Sequence, residues 1–203
     1  FNDYLNSKLY LFKKLLKKNG DVITDQSIPE FNKLEKISKL NKLNLNVISS
    51  NKKSSGMRVI SHEFNDEAQI VHVNYGRFNF KLKINLIGKI QIKNILMALI
   101  AAEKSGVKIL SAVKSLSELK PISGRLERIG KIKNNSKVIL DYAHTPDALK
   151  TVLENLKEQF PYKKISIVFG CGGDRDKKKR FFMGKIASMN CNNIYLTDDN
   201  PRK

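Results

Sequence analysis

The chain has 203 residues, 41% apolar and 8% aromatic, enough for one medium domain or two small ones, because autonomous domains commonly run about 100 to 150 residues. That length excludes a mini-protein dependent on disulfide staples, and no apolar run approaches the roughly 20 residues that a bilayer-spanning helix needs. The formal net charge is +19, from 38 Lys and Arg against 19 Asp and Glu.

A charge of that size invites a nucleic-acid or anionic-surface reading. The detail weakens it, because Arg contributes only Arg58, Arg77, Arg125, Arg128, Arg175, Arg180 and Arg202. The remaining cations are Lys scattered amid Asn and Ile, whereas readers of bases and phosphates favour Arg forks with interleaved aromatics. No specific nucleic-acid partner is expected. Cys171 and Cys191 are the only cysteines, too few for a disulfide framework and lacking metal-type spacing, which fits a cytoplasmic protein. The chain opens on Phe1 without an apolar leader and breaks off at Asn200-Pro201-Arg202-Lys203, directly after a strand-like run. The expectation is an internal piece of a longer chain.

In chain order, Leu5, Leu9, Phe12 and Leu16 mark one face of a helix over residues 3–19, with Gly20 placed to stop it. Val22 to Thr24 reads as a short strand. Pro29 starts a second helix with Phe31, Leu34, Ile37 and Leu40 on its buried face, and Leu45 to Ser49 reads as another strand. Arg58 to Phe64, Ile70 to Tyr75 and Phe78 to Leu86 read as antiparallel strands, the last two joined through Asn74-Tyr75-Gly76. Ile90 to Lys104 is an apolar, Ala-rich helix ending at Gly106, followed by a shorter helix near Ile109 to Leu119.

Pro121 and Gly124 punctuate Lys120-Pro121-Ile122-Ser123-Gly124, and the pattern restarts after it, so the expected domains are 1–121 and 122–203. In the second, Val138 to Tyr142 is a strand, and Thr145-Pro146-Asp147 combines a capping hydroxyl, a proline at the first helical position and an acid in the first turn. Ile165 to Phe169 is a β-branched strand running into a glycine turn. A helix follows from about Lys177 to Met189, then a strand from Ile194 to Thr197. Strands and helices alternating at this length predict a parallel sheet, with ligands at the carboxyl ends of its strands.

Three polar motifs fall at those ends. In Asp141-Tyr142-Ala143-His144-Thr145-Pro146-Asp147 a carboxylate suited to a ribose hydroxyl pair lies within one turn of an imidazole. In Gly170-Cys171-Gly172-Gly173-Asp174-Arg175-Asp176 the glycines let backbone amides approach an anion at a helix start, with Arg175 as a bidentate fork. Thr197-Asp198-Asp199-Asn200-Pro201-Arg202 concentrates two acids, an amide and a guanidinium, as a recognition loop for a zwitterion would.

In that order and at those spacings the three strings resemble the Mur ligases, strongly from Gly124 onward and more loosely before it. Among their activities the motifs are most similar to those of the enzyme that adds meso-diaminopimelate to UDP-N-acetylmuramoyl-L-alanyl-D-glutamate in peptidoglycan synthesis. The resemblance implies an α/β fold in two parts: the later part of a central P-loop-type ATPase domain, then the first half of a Rossmann-like carboxy-terminal domain. It gives Lys8 the role of a carbamylated lysine that helps hold Mg²⁺, whose preference is for hard oxygen ligands. It matches Asn94, Asp141 and His144 to contacts with ATP, Gln91 and Ile92 departing from the commoner family pair beside Asn94. Arg125 matches the arginine that reaches ATP across an interdomain cleft. Arg175, Asp199, Asn200, Pro201 and Arg202 match residues that grip diaminopimelate. No G-x-x-x-x-G-K-[ST] phosphate loop is present in the sequence, so the piece alone is expected to be inactive, and a monomer. The alternatives are a nicotinamide- or flavin-binding oxidoreductase, argued from the strand, glycine turn and helix at Ile165 to Met189, and a basic nucleic-acid adaptor.

Overall fold

In the computed structural model, which describes residues 2–49, 56–65, 68–173 and 176–199, the chain divides into two compact units. The first comprises residues 1–85 and 91–119. The second comprises 86–90 and 120–203.

The first unit opens with α1, Asn2–Tyr10, whose helical course continues as a π-helical stretch over Leu11–Leu15 closed by the Leu16 N–H on the Leu11 carbonyl at 2.9 Å. Helical backbone therefore ends before Leu16, short of the expected Gly20. The expected stripe nevertheless faces inward: Leu5, Leu9, Phe12 and Leu16 pack with Val22, Leu34, Ile37 and Leu43. β1 (Asp21–Asp25), α2 (Phe31–Leu40) and β2 (Asn44–Ser49) follow. On α2, Phe31, Leu34 and Ile37 are buried, but Leu40 is 78% exposed, because the chain leaves the helix at Asn41 before that turn is covered.

β3 (Met57–Asn65), β4 (Ala68–Tyr75) and β5 (Phe78–Ile84) complete a five-stranded sheet in the order β1-β2-β3-β4-β5. β1, β2 and β3 run parallel, and β3, β4 and β5 alternate as antiparallel neighbours. The β4–β5 turn falls on Gly76 and Arg77, one residue later than the sequence suggests, with Tyr75 paired to Phe78 and Gly76 at φ +55°. Glycine takes that left-handed backbone without a Cβ clash. α3, Ile90–Lys104, buries Ile92, Ile95, Leu96, Leu99 and Ile100, the i, i+3, i+4, i+7, i+8 face of a core helix. α4 (Ile109–Lys114) then tightens into a 3₁₀ turn over Ser115–Glu118.

In the second unit β6 (Glu127–Ile132) and β7 (Ser136–Leu140) form an antiparallel pair with a bulge between Arg128 and Gly130. β8 (Ser166–Phe169) and β9 (Asn193–Leu196) form a parallel pair, as the alternating pattern predicts. β6 is absent from the sequence expectation, and β7, expected beside β8, has its ladder with β6. α5 (Pro146–Gln159) and α6 (Lys178–Asn190) cover one face of β8: Leu149, Leu153 and Met183 form the buried cluster, packed with Ile165, Ile167 and Phe169. Residues 86–90, which lie between β5 and α3 in sequence, pack on α5. The Gly88 N–H donates to Gln159 Oε1 at 2.8 Å, the Ile90 N–H to Asn155 Oδ1 at 3.3 Å, and Lys89 pairs with Glu158 at 3.1 Å.

Candidate functional site

The second unit carries its polar motifs after β7, β8 and β9, the last of them described as far as Asp199. The first is set by Asp141, whose Oδ2 accepts the Leu126 N–H and whose Oδ1 accepts the Ala143 N–H, both at 2.8 Å. Leu126 is buried and held at φ +47°, a conformation that a branched side chain adopts only under constraint. Asp141 is thus the organiser of its own loop. Each carboxylate oxygen has a second lone-pair direction for a ligand hydroxyl. Glu127 adds a similar clamp, its Oε2 accepting the Gly124 N–H at 2.8 Å.

That backbone carries Tyr142 and His144 outward, both exposed. Their rings meet edge to face at 5.3 Å, and the Arg125 guanidinium lies 5.8 Å from the Tyr142 ring centre, within cation–π range. Arg125, Asp141 and His144 therefore belong to one cluster. His144 Nδ1 sits 3.2 Å from the Tyr142 carbonyl oxygen. A carbonyl only accepts, so Nδ1 carries the hydrogen there and the neutral ring presents Nε2 as an acceptor. α5 begins as its sequence predicts: Thr145 Oγ1 accepts the Ala148 N–H at 3.3 Å with Pro146 in the first helical turn.

The second loop leaves β8 at Gly170. A Cβ there would lie 2.3 Å from the Thr197 carbonyl oxygen and 2.8 Å from the Asp199 nitrogen, so only glycine admits the backbone that follows β9. This close approach brings Asp199 beside the glycine turn. Arg180 Nη2, from α6, donates to the Gly172 and Gly173 carbonyls at 3.2 and 2.8 Å. Lys179 Nζ reaches the other loop and donates to the His144 carbonyl at 2.8 Å. Sequence reasoning missed Lys179 and Arg180, although Lys177-Lys178-Lys179-Arg180 is a run of cations at a helix start, where the dipole disfavours them. Arg175, Asn200, Pro201 and Arg202 lie outside the described residues.

Lys8 and Asn94 belong to the first unit. Lys8 is exposed on α1, its Nζ 5.4 Å from the Tyr4 ring centre, and Asn94 is exposed in the first half of α3, its nearest side-chain partner Gln91 at 3.5 Å. Among the described residues no group of three or more His, Cys, Asp or Glu side chains could hold a metal, and no helix is long and apolar enough to cross a membrane.

Comparison with known proteins adds independent findings. Residues 1–102 match the family model for the Mur ligase middle domain, and residues 124–203 match that for the Mur ligase, glutamate ligase domain. The UDP-N-acetylmuramoyl-L-alanyl-D-glutamate--2,6-diaminopimelate ligase of Zymomonas mobilis is 35% identical over 201 residues, covering 98% of this chain and 40% of that protein. The chain thus spans about two fifths of the length of that curated relative. A solved structure carrying the same enzyme name superposes with a TM-score of 0.69 at 28% identity, covering 100% of this chain and 41% of the other. The MurF ligase of Thermotoga maritima, in complex with ADP, shares the fold at a TM-score of 0.71 and 18% identity, covering 97% of this chain and 44% of that one.

Proposed function

We propose that this chain, which belongs to the Mur ligase family, forms part of an ATP-dependent ligase that adds meso-diaminopimelate to UDP-N-acetylmuramoyl-L-alanyl-D-glutamate. The observation that carries the reading is 35% identity, running through both matched domains, to a relative named for that reaction. The nicotinamide or flavin alternative has no such support. An ADP complex of a protein sharing the fold supports the nucleotide assignment.

In this reading ATP phosphorylates the D-glutamate γ-carboxylate, giving an acyl phosphate and ADP. An amine of diaminopimelate then attacks the acyl carbon, forming the amide and releasing phosphate and the amine's proton. The protein's share is positioning and charge neutralisation. Asp141 and His144 hold the nucleotide from the loop after β7 and Arg125 holds it from the segment before β6; the family resemblance gives Asn94 of α3 a nucleotide contact as well. Arg175 and Asp199 to Arg202 hold the carboxylates and ammonium of the amino acid. Mg²⁺, when bound, would neutralise phosphate charge, and Lys8 as a carbamate would offer it oxygen ligands. The described residues supply no further ligand set around Lys8, so no step is assigned to the metal.

The test is made on the intact enzyme supplied with ATP, the UDP-muramoyl dipeptide and meso-diaminopimelate. Phosphate release matched by amide product in mass spectrometry is expected, with Lys8→Ala and Arg125→Ala both impaired. Absence of product, or NADPH binding in place of ATP binding, would reject the reading.

A further inference from the structure

α6 opens with cations and has no acid in its first turn; Asp176, just before it, accepts the Lys178 N–H at 2.9 Å and offsets part of their repulsion from the positive end of the helix dipole. Such a start is tolerated where the side chains find acceptors elsewhere, and two of them do. Lys179 Nζ donates to the His144 carbonyl at 2.8 Å, and Arg180 Nη2 donates to the Gly172 and Gly173 carbonyls at 3.2 and 2.8 Å. Adjacent residues on one helical turn therefore fasten two different loops. Lys179 is half-buried while Lys177 and Lys178 are exposed, and its ammonium makes this bond at the surface of the unit. Hydrogen bonds from a charged donor are about twice as strong as neutral ones.

The bond to His144 matters for that residue's side chain too. In the His144 loop the Tyr142 carbonyl is taken by the imidazole Nδ1 and the His144 carbonyl by Lys179. Ring orientation and tautomer follow from the backbone course between them. Losing Lys179 frees the His144 peptide to rotate, and with it the lone pair on Nε2.

We propose that Lys179 and Arg180 are positioning residues that tie the nucleotide loop and the amino-acid loop to one turn of α6, so that binding of each ligand favours binding of the other. This rests on the functional reading above, in which the first loop faces ATP and the second faces diaminopimelate. Neither side chain has to touch a substrate. A ligand that orders one loop orders the turn that anchors the other, and the second ligand then loses less conformational entropy on binding. The coupling is reciprocal: diaminopimelate tightens the nucleotide by the same factor as the nucleotide tightens diaminopimelate.

Two measurements test it. In the intact enzyme, the AMP-PNP dissociation constant is measured by calorimetry with and without saturating meso-diaminopimelate. The wild type should show tightening of about fivefold or more. Lys179→Met should abolish the tightening and raise the ATP KM about tenfold with a smaller change in kcat, and Lys179→Arg should restore most of both. Equal tightening in wild type and Lys179→Met, or binding of both ligands to the wild type with no coupling, overturns the proposal. The second measurement needs no substrate: long-range ¹H–¹⁵N spectra of the three histidines in the 203-residue chain. His144 should show the Nδ1-protonated tautomer in the wild type and an averaged, mobile imidazole in Lys179→Met, with His62 and His72 unchanged. An unchanged His144 signal in Lys179→Met overturns the tether. A wild-type enzyme that binds neither ligand refutes the functional reading, while the His144 spectra still decide whether Lys179 positions the loop.

Discussion

The ammonium of Lys93, in the first half of α3, is ion-paired with the carboxylate of Asp25, the last residue of β1. Ser27 completes the knot: its Oγ accepts from Lys93 at 2.7 Å and donates to Asp25 Oδ2 at 2.7 Å, and its N–H donates to Asp25 Oδ1 at 2.9 Å. Burial works to raise the Asp25 pKa, but the hydrogen bonds from Lys93 and Ser27 outweigh it and hold the carboxyl below its ordinary 3.8. The unfolded chain therefore takes up this proton first as pH falls. The stability that Asp25 contributes is complete above about pH 4 and is lost as pH drops through its folded value.

Urea denaturation at pH 7 and pH 3 should show a steeper loss of stability in the wild type than in Asp25→Asn. Lys93→Met should cost roughly 1–3 kcal/mol at pH 7, because it leaves a largely buried carboxylate with only the Ser27 donors. Identical pH dependence in wild type and Asp25→Asn would exclude the account.

Gly88 predicts a large effect from a small change. It sits at φ +89°, and a Cβ there would lie 2.6 Å from Leu126 Cδ1 and 3.2 Å from Asn155 Oδ1. Gly88→Ala should destabilise the second unit by about 2 kcal/mol or more, since backbone strain and overlap add. Gln159 is only 4% exposed, and its Nε2 has no hydrogen-bond partner among the described residues, yet its Oε1 serves the Gly88 N–H. Gln159→Leu should cost roughly 1–3 kcal/mol by stranding that donor. Thermal melts of both variants provide the check, and a wild-type-like melt for Gly88→Ala would contradict the geometry.

Asp141→Ala should release two backbone donors and the strained Leu126 together, with an expected loss of about 2 kcal/mol in denaturant titrations. Asp141→Asn keeps an acceptor and should recover about half. In the intact enzyme both should raise the ATP KM. If Asp141→Ala weakened nucleotide use with stability untouched, its role would be contact alone and not loop construction.

The amino-acid choice turns on the second carboxylate that distinguishes diaminopimelate from lysine. Arg202, beside Asn200 and the rigid Pro201, supplies a fork for it in the proposed function, and sites built on such pairs reject analogues lacking the partner by as much as about 10⁴-fold. The intact enzyme should use meso-diaminopimelate and not L-lysine, and Arg202→Ala should act mainly on the diaminopimelate KM. Efficient addition of L-lysine by the wild type would defeat this.

What could be read from the sequence followed the strength of its periodicities. α3 has the bounds that its apolar spacing predicts, and the caps of α5 are where Thr145 and Pro146 place them. β6 was invisible because Glu127–Ile132 is almost wholly exposed and bulged at Gly130, so no apolar alternation marks it. The π-helical stretch at Leu11–Leu15 was hidden for the opposite reason: a perfect helical stripe survives it. Leu40 continues the α2 stripe in sequence but lies beyond the last covered turn. In the site, acids and glycines announced themselves by type, whereas Lys179 and Arg180 were camouflaged among the many lysines. Their use depends on which carbonyls the fold brings within reach, and the sequence holds no direct signal for that.

The packing of residues 86–90 on α5 makes the second unit discontinuous along the chain, which bears on how such proteins exchange parts. A single recombination crossover near Lys120 between two relatives would join the α5 of one parent to the Gly88 segment of the other. Gln159, Asn155 and Glu158 would then meet backbone and side chains with which they had not co-evolved. Chimeras that carry residues 86–90 along with 120–203 should fold with fewer losses than those cut once at the apparent boundary.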